Sequence, residues 1–222
     1  GPSFQIFLAT NKGFVYNADF TELAQGNCGL FTINKKDKTL TTMIKDGCCW
    51  HQYSDYSVVN NRPKLIRTQT DDSSKSPIYT LTIEEWTGKK PIKKIFKGIN
   101  LENELVKDYF MFHVDKVNKD VILYNLDDCL LYYAVLDAEK SVEFYYPADR
   151  LQEDSKFKYD KKNGKLTFSN KDAKYSIYDK SGTVGIDITY KGKTYQWKGN
   201  PKSQHGSMVK LLKTKLGNVA YQ

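Results

Sequence analysis

Apolar and polar residues alternate with a period of two along most of the chain, the signature of strands with one face inward. The stretch "FQIFLAT" runs into an Asn11-Lys12-Gly13 turn and then "FVYNADF". "LFTINKKDKTLTTMIKDG" holds two short strands around the polar "NKKDK", and "HQYSDYSVVNNRPKLIRTQT" repeats that form about Asn60, Asn61 and Pro63. "SPIYTLTIEEWTGKKPIKKIFKG" does so again, turning at Gly88. No segment of this half keeps a 3.6-residue apolar period for three turns, so short strands joined by turn chemistry predict an antiparallel meander, a sandwich or a propeller-like array.

The pattern weakens at "GINLENELVKDYF", which places a boundary near residue 100 and divides the chain into 4–100 and 101–222. The second half opens with near-continuous apolar runs, "YFMFHV", "DVILYNL", "CLLYYAVL" and "VEFYYP". A polar connector, "DRLQEDSK", leads to "KFKYDKKNGKLTFSN", where Asn163-Gly164 between alternating segments is a hairpin signal. Only "SQHGSMVKLLKTKLGN" predicts a helix, with Met208, Leu211 and Leu212 on one face and Gly217 as the stop. The fold class expected is all-β: a β-repeat module followed by a β-rich module with one short helix.

The chain has 222 residues, 40% of them hydrophobic and 14% aromatic, enough to bury a core without covalent staples. Tyr is the commonest aromatic, with 16 against 11 Phe, and suits half-buried pleated surfaces. The opening Gly1-Pro2-Ser3 has the form of a cleaved expression tag. An abrupt start at Phe4 carries the expectation of a removed signal peptide or lipoprotein leader, hence an exported, periplasmic or outer-membrane-anchored protein. No apolar run reaches the roughly 18 residues of a membrane-spanning helix.

The net charge of +8 raises nucleic acid as a partner. The cations argue against it: only Arg62, Arg67 and Arg150 are arginines, and the many lysines are spread along the whole chain. The cluster Lys89, Lys90, Lys93, Lys94 and Lys97 flanks a turn and reads as a charged strand edge. Lysines of this kind steer encounter with acidic protein surfaces.

Candidate chemistry concentrates in "KDGCCWHQYSDYSVV" (45–59). A structural zinc site needs four ligands in spaced pairs. Cys48 and Cys49 are adjacent, and strand alternation would send them to opposite faces, while Cys28, Cys129, His113 and His205 stand alone in sequence. No cysteine-hydrolase motif surrounds any cysteine, no G-x-S-x-G elbow occurs, and Glu84-Glu85 would face opposite ways on a strand. No catalytic residue, metal or cofactor is therefore assigned. Four cysteines in an exported chain fit disulfides. Cys28 with Cys48 or Cys49 would close a loop of about 20 residues and contribute about 3 kcal/mol, and the remaining cysteine would pair with Cys129 or stay buried.

The order "FVYNADFTEL", then a cysteine, then "FTINKKDKTLTTMIKDGCCWHQYSDYSVVNNRPKLIRTQ" resembles a β-strand repeat of small exported bacterial proteins. The likeness is clearest at Phe14 to Tyr16, Leu40 to Thr42, Gly47, His51, Tyr56 and Lys64 to Ile66. That resemblance implies propeller-like modules, some of which inhibit cell-wall lytic enzymes, and the closing stretch is similar in character to type VI secretion immunity proteins. It transfers no functional residue. The expectation is a non-enzymatic periplasmic immunity or inhibitor protein that occludes a toxin or lytic enzyme, with Trp50, His51, Trp86 and Tyr195 as anchors. A surface module binding cell-wall glycan is the alternative, for which the aromatic runs at 109–110, 131–133 and 144–146 offer a platform or, more simply, a core.

Overall fold

A computed structural model describes residues 3–148 and 156–222, and the chain divides into two compact units, Gly1–Lys97 and Gly98–Gln222. Most of the connector expected at 149–156, including Arg150, lies outside the described residues. The architecture is mostly β, built of antiparallel sheets.

The first unit begins with a hairpin, β1 (Phe7–Thr10) and β2 (Gly13–Tyr16), then a helix, α1 (Ala18–Gln25). Here the sequence expectation of a strand through Phe20 fails. Asn17 caps the helix, its side-chain oxygen accepting from the Phe20 N–H at 3.0 Å, and Gly26 ends it. A six-stranded meander follows: β3 (Thr32–Asn34), β4 (Thr39–Asp46), β5 (Trp50–Val59), β6 (Arg62–Asp72), β7 (Ile78–Glu85) and β8 (Ile92–Ile99), ordered as in sequence. Of the architectures expected for this half, the meander is the one formed. Asn60 and Asn61 both adopt left-handed backbone (φ 51° and 60°), the geometry a two-residue β5–β6 hairpin turn requires. Among the described hydrophobic residues of this unit only Phe20, Ala24, Leu40 and Ile78 are buried.

The second unit contains a four-stranded sheet of β9 (Val106–Val114), β10 (Lys119–Leu126), β11 (Leu131–Leu136) and β12 (Val142–Tyr146). It also contains a six-stranded sheet of β13 (Phe157–Asp160), β14 (Lys165–Asn170), β15 (Ala173–Lys180), β16 (Thr183–Tyr190), β17 (Lys193–Lys198) and β18 (Val219–Tyr221), the last lying parallel to β13. The expected C-terminal helix shrinks to α2 (Met208–Leu211), although Met208, Leu211 and Leu212 are all buried. Phe110, Val121, Leu123 and Tyr133 of the smaller sheet share one buried cluster with Phe157, Leu166, Phe168 and Ile186 of the larger. The alternate residues Ile122, Tyr124, Tyr132 and Ala134 are buried too, in a second cluster with Leu101, Leu105 and Tyr145. Burial on both faces is why "DVILYNL" and "CLLYYAVL" read as unbroken apolar runs. The aromatic runs thus supply core: Tyr133 packs against Phe144, Phe168 and Tyr175 at 5.0 to 5.9 Å between ring centres.

Candidate functional site

Strand register in the first unit aligns side chains from four strands in rungs. Met43, Tyr53, Gln69 and Ile83 form one, Lys45, His51, Asp71 and Leu81 the next, and Thr41, Asp55, Arg67 and Glu85 the third, all on one face. A hydrogen-bonded polar lattice runs through them. Asp55 accepts from the Thr41 hydroxyl (2.7 Å) and from Arg67 Nη1 (3.2 Å). Arg67 Nη2 donates to Gln69 Oε1 (2.7 Å), and Gln69 Nε2 donates to Asp71 (3.3 Å). Arg67 is held flat between two partners while its side chain stays 34% exposed. Half-exposed Met43, Leu81 and Ile83, with Tyr53 and Tyr79 more exposed, surround this lattice.

Tyr53, Met43 and Arg67 are of residue types enriched at protein interfaces, and they share this face with the charged Lys45, Asp55, Asp71 and Glu85. The opposite face carries Ile44, Gln52, Ser54 and Tyr56, which with Asp19 and Leu23 of α1 line an open groove of about 610 Å³. Arg62 pairs with Asp19 across its rim at 3.3 Å.

Within the first unit, the expected anchors Trp50, His51 and Trp86 do not share one patch. His51 lies on the lattice face, but Trp50, its neighbour on β5, points the other way. Trp86 follows β7 at the far end of the sheet, its N–H bonded to the Ile66 carbonyl. Tyr195 belongs to β17 of the second unit.

The cysteines also differ from expectation. All four are free thiols. The Cys28 N–H donates to the Met43 carbonyl, five residues before Cys48. At about 3.3 Å per residue that leaves Cys28 on the order of 10 Å or more from Cys48 and Cys49 along the strand, beyond the roughly 7 Å between Cα atoms that a disulfide can span. Cys48 and Cys49 occupy a turn rather than a strand, so alternation does not separate them: their Sγ atoms are 2.9 Å apart. Cys129 is exposed in the β10–β11 turn with φ 58°.

A second polar cluster, not evident from sequence, lies in the second unit. Asp120, buried on β10, accepts from His113 Nδ1 at 2.7 Å and Lys140 Nζ at 2.6 Å. The nearby Ser203 hydroxyl accepts from the His113 backbone N–H and donates to the Asn200 carbonyl, so it is committed to structure. Among the described residues no group of three or more His, Cys, Asp and Glu converges as a metal site.

No family model and no curated protein matches this chain. A solved structure described as a Xanthomonas type IV secretion system related protein is similar to 42% of this chain, at 27% identity and a TM-score of 0.39. The match spans 45% of that protein's own length, less than half.

Proposed function

We propose that the chain is a non-enzymatic, exported bacterial binding protein that sterically blocks a secreted toxin or cell-wall lytic enzyme, as an immunity or inhibitor protein. The reading rests on one observation: the first unit holds ordered apolar and polar side chains in the open instead of burying them. Tyr53, Tyr79, Ile92 and Ile95 are exposed on its sheet, and Phe14 of the hairpin is 79% exposed. An exposed array on a rigid meander binds with little loss of conformational entropy, which favours contact with a folded partner. The same unit carries a formal net charge of +5, from 14 basic and 9 acidic residues, which favours an acidic target and raises its association rate.

Gel filtration of the full chain with any toxin-like protein encoded by a gene next to its own tests this. Co-elution is expected, and Arg67→Ala should weaken it by roughly 30-fold, as for a central interface arginine. Two separate peaks at micromolar concentration overturn the proposal. A shift in tryptophan fluorescence on titration with peptidoglycan fragments, with no protein partner, would instead favour a glycan-binding module.

A further inference from the structure

Cys48 and Cys49 are consecutive in the turn between β4 and β5, with Cys48 exposed and Cys49 half-buried. Gly47 enters the turn with φ +68°, a conformation glycine adopts without strain. The turn is anchored from the other side: the Cys49 carbonyl accepts from the Ser73 N–H at 2.8 Å and from the Ser73 hydroxyl at 3.2 Å. With its backbone tied down at both ends, the turn holds the two sulfurs in contact at its tip, 2.9 Å apart. Each thiol therefore sees the other at a far higher effective concentration than any thiol in solution.

We propose that Cys48 and Cys49 are a solvent-facing redox pair that cycles between a dithiol and a vicinal disulfide, with a small-molecule disulfide such as glutathione disulfide as electron acceptor. One cysteine, as thiolate, attacks a sulfur of the small disulfide; that S–S bond breaks, a mixed disulfide forms and one glutathione thiolate leaves. The neighbouring cysteine loses its proton to solvent and attacks the protein sulfur of the mixed disulfide. The Cys48–Cys49 bond forms and the second glutathione leaves as thiolate. Two protein thiols are oxidised, one disulfide is reduced to two thiols, and the two protons return to the departing thiolates.

Reversibility follows from covalent geometry. Adjacent Cα atoms are about 3.8 Å apart, whereas ordinary disulfides span roughly 4.4–6.8 Å. A bond between neighbours is strained, and strained, exposed disulfides are the readily reduced ones. The hydrogen bond from Cys48, followed by desolvation, raises the Cys49 thiol's pKa. Attack by a thiolate then quickens as pH rises.

The test uses the full chain with Cys28→Ser and Cys129→Ser, which leaves only this pair. Incubation across glutathione redox buffers, trapping with an alkylating agent and intact-mass measurement should show loss of two hydrogens and no alkylation, both reversed by reduced glutathione. Adding Cys48→Ser should convert the product to a stable single glutathione adduct at Cys49. A pair that remains alkylatable in buffers that glutathionylate the Cys48→Ser variant overturns the proposal. Accumulation of two glutathiones per chain, or of disulfide-linked dimers, overturns it equally.

Discussion

Tyr133 sits on β11 with no solvent exposure, and its hydroxyl has no hydrogen-bond partner among the described residues. A buried hydroxyl without a partner costs about 1–3 kcal/mol relative to water. Tyr133→Phe removes that group and keeps the ring among Phe144, Phe168 and Tyr175. The void left by one oxygen, on the order of 10 Å³, costs about 0.2 kcal/mol at roughly 24 cal/mol per Å³. The net gain is then about 1–2.5 kcal/mol. For a unit the size of residues 98–222, each kcal/mol moves Tm by about 3–4 °C, so calorimetry should show the second unit melting about 3–10 °C higher. An unchanged or lowered Tm in the variant would mean that the hydroxyl is satisfied in solution, and the reasoning fails.

The same residue sets a pH dependence. Burial, then the neighbouring Tyr175 and Glu143, push the Tyr133 phenol well above its ordinary value. In the unfolded chain it ionises at about 10. The folded state therefore holds a proton that the unfolded state releases above that pH, and stability present below pH 10 is lost as pH rises beyond it. Tyr133→Phe should flatten that alkaline decline in part. Burial also raises Tyr159, Tyr175 and Tyr178, and their contributions persist.

Two further outcomes follow from the polar contacts. Asn17→Ala removes the α1 cap and the bond from Asn17 Nδ2 to the Asn61 carbonyl, and should cost about 0.5–2 kcal/mol, seen as faster hydrogen exchange across residues 18–25 with the second unit's melt unchanged. Asp120→Ala strips His113 and Lys140 of their buried acceptor and should cost about 1–3 kcal/mol, whereas Lys140→Ala, at a side chain 61% exposed with His113 still in place, should cost under about 1 kcal/mol by denaturant titration.

The fold class was legible in the chain because alternation and turn residues act locally. Asn60-Asn61, Ser181-Gly182 and Lys191-Gly192 all take left-handed backbone at two-residue hairpin turns, which their residue types permit. Helix α1 was missed because the alternating Phe14 and Tyr16 extend a strand reading up to the asparagine that begins the helix. The lattice face was hidden by one residue. From the turn, Val59 pairs with Arg62 and Tyr56 with Leu65, but at Asp55 the register slips past Ile66, so Asp55 meets Arg67. An unbroken count from the turn pairs Asp55 with Ile66 and sends Arg67 to the opposite face, and alternation alone cannot reveal such a bulge. The sulfur pair was misjudged for a related reason: Cys48 and Cys49 belong to a turn, where the rule that neighbours point apart does not operate.

The two units spend their apolar residues differently, and that difference gives the proposed function its physical content. Residues 98–222 bury apolar side chains on both faces of the four-stranded sheet, so stability in that unit comes from internal packing. Residues 3–97 bury four and leave Phe7, Phe14, Val15, Tyr16, Ile33, Tyr53 and others exposed, and so rely on strand pairing and polar lattices such as Asp55–Arg67–Gln69. A sheet held that way exposes apolar area whose burial contributes about 25 cal/mol per Å² once a partner covers it. The first unit should therefore gain stability on binding while the second does not. Hydrogen exchange with and without the partner reads this directly: protection confined to β4–β7 supports the lattice face as the contact, and protection confined to β9–β12 would move the interface to the other unit.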